Sequence, residues 1–172
     1  GIDDHGTMIG DTSTIYKLGK KLFRCGWLMN AMRGSGKLHL YGKTDLLDRS
    51  DIEYLRVISD VFDEIGAGIY DTSCILGDPR KGEVYGYSTS EGDAGFVVIL
   101  NPSARSQRFA LCLPEWENCT VLAERILENG EKKGGKGKIF GCYTGELTPN
   151  GYRLIRWKRT AEHCRGGRAV VG

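Results

Sequence analysis

The sequence predicts an α+β fold. A helix–strand–helix segment over residues 1–78 leads into an antiparallel β-sandwich over residues 79–158, and a flexible tail follows over residues 159–172. Three observations carry that expectation. Apolar residues recur at three- and four-residue steps as far as Ile65, the period of helices with one buried face. From Lys81 onward the period falls to two, the alternation of strands. Turn residues then separate the apolar runs at short intervals, as they do between the strands of a sandwich.

Each element follows in order. Asp11 is placed to cap a helix that runs to Met32, with Ile15, Leu18, Leu22, Cys25 and Met29 on one face and Tyr16, Phe23 and Trp27 beside them. Gly19 and Gly26 each cost about 1 kcal/mol against Ala inside a helix, so their presence predicts a second backbone pressing close. Residues 33–36 turn, and residues 37–41 read as a short strand. Ser50-Asp51-Ile52-Glu53 has the form of a capping box, and Ile52, Leu55, Ile58, Phe62 and Ile65 continue at helical spacing until Gly66. Six candidate strands then cover residues 84–89, 96–100, 107–113, 120–127, 139–143 and 152–157. Asn101-Pro102-Ser103 ends the second, and Pro149-Asn150-Gly151 turns into the last.

Composition narrows the functional classes. The chain has 172 residues and a mass of 19.0 kDa, enough for one domain or one domain with an appendage. It is too short for a complete eight-fold barrel enzyme, which needs roughly 250 residues. Hydrophobic residues at 40%, charged residues at 27% and a mean hydropathy of −0.32 describe a soluble globular chain. Its 24 basic and 22 acidic side chains leave a formal charge of +2, which gives no electrostatic case for nucleic acid or an anionic membrane. No apolar run is long enough to span a bilayer. The opening Gly1-Ile2-Asp3 carries no Met and no signal-like leader, so the sequence reads as an excised or processed piece, and it assigns no compartment.

The chemistry-bearing residues are sparse. Cys25, Cys74, Cys112, Cys119, Cys142 and Cys164 form no paired motif and are expected to be reduced, mostly buried thiols. His5, His39 and His163 are scattered, and only His163 and Cys164 are close, so no metal site is expected; nothing calls for a cofactor. Asn118-Cys119-Thr120 fits a glycosylation sequon, read as a chance match because no secretion signal accompanies it. Gly34-Ser35-Gly36-Lys37 lacks the earlier glycine and the following hydroxyl of a phosphate loop. The lysine-rich stretch over residues 132–138 has no interleaved aromatic residue and reads as a solvated hairpin tip.

Two readings remain for a site. Asp3-Asp4-His5 places carboxylates beside an imidazole, and Asp3 or Asp4 is a catalytic candidate. Glycosidic chemistry needs a second carboxylate several ångströms away, which must come from elsewhere. Trp116, in the polar run Pro114-Glu115-Trp116-Glu117-Asn118, is expected to expose its ring and is the first candidate for stacking on a sugar. Tyr143 is the second, while Trp27 and Trp157 belong to core positions.

Four stretches belong together: Trp27-Leu28-Met29-Asn30-Ala31-Met32 through Leu38-His39-Leu40-Tyr41-Gly42, Leu46-Leu47-Asp48 through Tyr54-Leu55, Gly77-Asp78-Pro79-Arg80-Lys81-Gly82, and the apolar run from Phe96 to Pro102. In this order they resemble the C-terminal end of a barrel glycoside hydrolase of the α-galactosidase (melibiase) clan. The resemblance implies that residues 1–78 are the last βα units of a (β/α)8 barrel and that the sandwich follows them. The family's nucleophile lies on an earlier barrel strand, which this chain lacks. Its acid/base carboxylate precedes the last barrel helices, a place Asp3 or Asp4 fills by order alone. The implied function is a mainly structural C-terminal part of a carbohydrate-active hydrolase, not catalytic by itself. Its partner would be the rest of a barrel or a second copy. The competing reading is a free-standing sandwich that binds carbohydrate or protein under a helical cap. An independent small enzyme has least support, because no nucleophile, base and orienter fall at a workable spacing.

Overall fold

In the computed structural model, residues 7–11, 13–33, 37–41 and 44–160 are described. The first described strand, β1 (Thr7–Asp11), lies parallel to β2 (Lys37–Tyr41), with Ile9 opposite His39 and Asp11 opposite Tyr41. Parallel neighbours need a crossover, and α1 (Ser13–Met32) supplies it. Asp11 is the last residue of β1, and α1 begins at Ser13. At Gly19 the backbone leaves the helical region (φ 78°, ψ 165°), which kinks α1 and favours glycine. Among the described residues no second backbone presses close there: a Cβ built at Gly19 or Gly26 would meet nothing within 4 Å.

The second helix, α2 (Arg49–Ile65), has its N-cap two residues before Ser50. Asp48 is the N-cap, accepting from the Asp51 N–H at 3.0 Å, while Asp51 accepts from the Asp48 N–H at 3.2 Å. Aspartate caps as well as serine does, so two overlapping boxes were available. Arg24 decides between them, because it needs a buried carboxylate and Asp51 provides one. Glu53 instead pairs with Arg49 at 3.1 Å on the surface. The buried stripe is accordingly Asp51, Tyr54, Ile58, Val61 and Ile65, and Ile52 is 47% exposed.

The remaining strands are β3 (Ser73–Leu76), β4 (Tyr85–Glu91), β5 (Ala94–Leu100), β6 (Gln107–Cys112), β7 (Thr120–Glu128), β8 (Glu131–Lys132), β9 (Lys136–Phe140), β10 (Cys142–Leu147) and β11 (Tyr152–Arg159). The large sheet runs β3-β4-β5-β11-β7-β8, with β9 also on β7; β6 and β10 form a small one, and all these pairs are antiparallel. Because β3 joins the sheet, the β-rich part begins at Ser73, ahead of the expected boundary at 79. It also continues past 158, where Thr160 N–H donates to the Thr120 carbonyl at 2.9 Å.

The large sheet is covered on both faces. Phe96 and Val98 of β5, with Tyr152 and Leu154 of β11, pack under Trp27, Leu28, Met32, Tyr54 and Ile58 of the helices. Val97, Ile99, Ile155 and Trp157 face the other way and pack with Phe109 and Leu111 of β6. That double cover explains why Phe96-Val97-Val98-Ile99 is continuously apolar and buried. A shared polar clasp ties the helices to the sheet. Arg24 donates to the fully buried Asp51 carboxylate at 3.0 and 2.7 Å, to Ser50 Oγ at 2.7 Å and to the Gly130 carbonyl at 2.9 Å. Tyr152 Oη donates to the Lys21 carbonyl at 3.0 Å, and Tyr54 Oη to the Arg24 carbonyl at 2.7 Å.

The expected strand over 139–143 breaks at Gly141 (φ 70°), where the chain leaves the large sheet for the small one. That break places Cys142 opposite Cys112, and the two form a disulfide with a Cα–Cα distance of 4.3 Å, the spacing of a non-hydrogen-bonded antiparallel pair. Both are exposed in sequence environments that read as plain strand, so the expectation of reduced, buried thiols is corrected for these two. Cys25 does fit it: the side chain is buried, and burial pushes its thiol up to about 12. Among the described residues no helix is long and apolar enough to cross a membrane.

Candidate functional site

Asp3 and Asp4 lie outside the described residues. Trp116 overturns its expectation. Pro114–Trp116 is a 3-10 turn that folds the indole inward, where it is fully buried and packs edge-on against Trp157, with ring centroids 6.0 Å apart. Its polar neighbours remain outside: Ser90 Oγ donates to Glu115 at 2.9 Å, and Arg159 Nε to the Glu115 carbonyl at 2.8 Å. A buried ring has no face for a sugar, so Trp116 is a core residue.

Tyr143 occupies a different environment. It is half-buried on β10, opposite Leu111, with its ring tilted against Phe109 at 5.4 Å. Its phenol oxygen accepts from Arg153, whose other nitrogens hold Glu128 Oε1 at 3.2 and 2.5 Å. Arg153 is only 8% exposed, and burial of a guanidinium requires such a carboxylate. Arg125 reaches Glu128 Oε2 at 3.5 Å from the other side.

This network borders an open cleft of about 420 Å³ where β9 gives way to β10, lined among others by Arg125, Lys136, Ile139, Phe140, Tyr143 and Thr144. Phe140 is 66% exposed and was not singled out by the sequence analysis. The signal was present: Ile139 is buried on the same strand, and alternation turns the next residue outward. Arg153 and Glu128 were equally legible as a charge placed between Tyr152 and Leu154 and a second at the end of an apolar run. The cleft offers aromatic rings, hydroxyls and cations. Glu128 is held by two arginines. Among the described residues no cluster of three or more His, Cys, Asp or Glu is placed to hold a metal ion.

A second position of interest is defined by backbone alone. Asp11 and Tyr41 end β1 and β2 side by side, and in βα barrels active sites form at the C-terminal ends of the parallel strands. The clasp near α2 is electrostatically structural. Hydrogen bonds from Lys20 and Ser50 and from the Asp51 amide hold the Asp48 carboxyl well below its ordinary range, and hydrogen bonds to Asp48 and Asp51 raise Lys20. Burial raises the phenols of Tyr54 and Tyr152.

No family model matches the chain, and no curated protein sequence does. Solved structures do share its fold. A GH27 β-L-arabinopyranosidase from Geobacillus stearothermophilus is similar with a TM-score of 0.56 at 14% identity, over 84% of this chain and 32% of that one. The α-galactosidase I of Mortierella vinacea gives 0.54 at 12% identity, over 82% and 36%. An α-amylase from Anoxybacillus gives 0.57 at 13%, over 80% and 32%. At these identities the likeness is one of fold, and the chain spans about a third of the length of each neighbour.

Proposed function

We propose that this chain is the C-terminal part of an α-galactosidase-like glycoside hydrolase, supplying the last βα units of its barrel and a supporting β-sandwich, and that it is not catalytic alone. The observation that carries the reading is the parallel pair. Among the described residues, β1 and β2 pair only with each other, whereas parallel strands belong to larger sheets covered on both faces. The fold neighbours support the reading, since most of this chain matches about a third of the length of a β-L-arabinopyranosidase and of an α-galactosidase.

In this reading the substrate lies at the Asp11 and Tyr41 ends of the strands. Both retaining and inverting mechanisms need two positioned carboxylates. Upstream strands supply the nucleophile, and Asp3 or Asp4 is this chain's proposed contribution to acid/base work. The partner is the remainder of the barrel, or a second copy that covers the same edge. Tyr143 and Phe140 offer an accessory sugar contact on the sandwich, and that cleft also favours the alternative of a free-standing carbohydrate-binding module.

The test compares residues 1–172 with the longer polypeptide of the same reading frame on nitrophenyl α- and β-glycosides. The short chain should show no turnover, and the longer one should turn over one class of substrate. Robust turnover by residues 1–172, lost on changing a single internal Asp or Glu, would overturn the proposal. For the alternative, Tyr143→Ala should abolish any sugar-dependent fluorescence change in the short chain.

A further inference from the structure

We propose that Asn118 is an N-glycosylation site, at which the chain carries an oligosaccharide on the exposed end of the sandwich. The sequence motif alone was weak, but two structural features now stand behind it. Asn118-Cys119-Thr120 is an acceptor sequon, and the structure presents it as a surface turn. Asn118 is exposed and sits in the left-handed region (φ 54°), between the turn at Pro114–Trp116 and the start of β7. Glycosylated asparagines need such an outward turn, because the glycan is too bulky for any covered position.

The turn is also anchored from beneath. Trp116 is fully buried two residues before it, Cys119 is buried one residue after it, and the Thr120 carbonyl accepts from Thr160 N and Oγ1 at 2.9 and 3.0 Å. A glycan on Asn118 would therefore point away from an already closed core and disturb no packing. The similar triplet Asn101-Pro102-Ser103 shows the opposite case. Proline at its centre forbids the reaction, and Asn101 is fully buried, with Nδ2 donating to the carbonyls of Arg105, Leu147 and Thr148.

The second feature is independent of the motif. Cys112 and Cys142 face one another across β6 and β10 and are joined by a disulfide, and such bonds persist in proteins that pass through oxidising compartments. N-glycosylation takes place on that same route. In the transfer, the Asn118 side-chain nitrogen attacks the anomeric carbon of a polyprenyl-diphosphate-linked oligosaccharide. The N–C bond forms as the C–O bond to the diphosphate breaks, the diphosphate leaves with the bonding electrons, and the amide proton passes to a base of the transferase. The inference does not depend on the hydrolase reading.

Peptide mapping of the polypeptide isolated from the cells that make it gives the direct test, with and without peptide-N-glycosidase. The peptide spanning Asn118 should be found glycan-bearing, and the enzyme should release the sugar and convert that asparagine to aspartate. Translation behind a cleavable signal sequence, with microsomes present, assigns the position. Wild type and Thr120→Ser should gain one glycan, while Thr120→Ala and Asn118→Gln should gain none. Asn118 recovered only in unmodified form, or a protease-protected wild-type chain with no mass shift, would overturn the proposal.

Discussion

Replacing Arg24 with Met isolates the contact that fastens both helices to the sheet. Asp51 is fully buried and Arg24 has only 13% of its side chain exposed, so the substitution strands a carboxylate where water does not reach it. It loses guanidinium hydrogen bonds at 3.0 and 2.7 Å and keeps Lys20 Nζ at 3.0 Å and the Asp48 N–H at 3.2 Å. Breaking one side of a buried pair costs about 3–5 kcal/mol. The remaining Lys20 contact, made by a half-exposed ammonium, reduces the expectation to roughly 2–3 kcal/mol. Urea unfolding followed by tryptophan fluorescence would read this as a midpoint lower by roughly 1–2 M at unchanged slope. Adding Asp51→Asn removes the stranded charge and keeps an acceptor for the Asp48 amide. The double variant should therefore recover part of the loss, ending about 1 kcal/mol below wild type. An Arg24→Met protein within about 0.5 kcal/mol of wild type, or a double variant less stable than the single one, would refute the reasoning.

Further expectations rest on separate contacts. Trp116→Ala should cost about 3–5 kcal/mol, because it empties a fully buried indole site against Trp157, and it should leave any sugar titration unchanged. Replacing Cys112 and Cys142 together with Ser opens a loop with a sequence separation of 30, and loop entropy puts the loss at about 3.5 kcal/mol, measured as the difference in urea stability with and without the bond. Alkali should unfold the protein early. Burial raises Cys25 from 9.0 to about 12 and raises Tyr54 and Tyr152 from 10.0, so the unfolded chain releases these protons first. Stability is then full below pH 9 and falls as pH rises toward 12, with Cys25 alone contributing about 4 kcal/mol across that span. Cys25→Ala should flatten the decline between pH 9 and 10.

The strands with buried faces were legible because their chemistry is local. Phe96-Val97-Val98-Ile99 announces a strand covered on both sides, and Tyr152 to Trp157 alternates between the two cores. The inward turn of Trp116 is not legible, because polar neighbours along the chain do not report the direction of a 3-10 turn. The capping box was ambiguous, since Asp48/Asp51 and Ser50/Glu53 both satisfy the pattern and only the distant Arg24 selects between them. The disulfide was out of reach for a similar reason: it depends on strand register across 30 residues and on a turn at Gly141. β1 is not legible because its five residues, paired among the described residues only to β2, carry too little pattern. The Tyr143 site is half legible: the ring stands out in the sequence, while Phe140 joins it in the cleft, and Arg153 and Glu128 meet each other, only through the strand arrangement.

Amide hydrogen exchange on β1 and β2 tests the central claim most directly. If these strands are the edge of an incomplete barrel, the amides of Ile9 and His39 in residues 1–172 should exchange far faster than those of Val98 and Leu154, which lie mid-sheet. In the longer polypeptide they should slow to the level of Val98. Equal, global protection of Ile9, His39 and Val98 in monomeric residues 1–172 would contradict the account, because it would show that the parallel pair is complete without further strands.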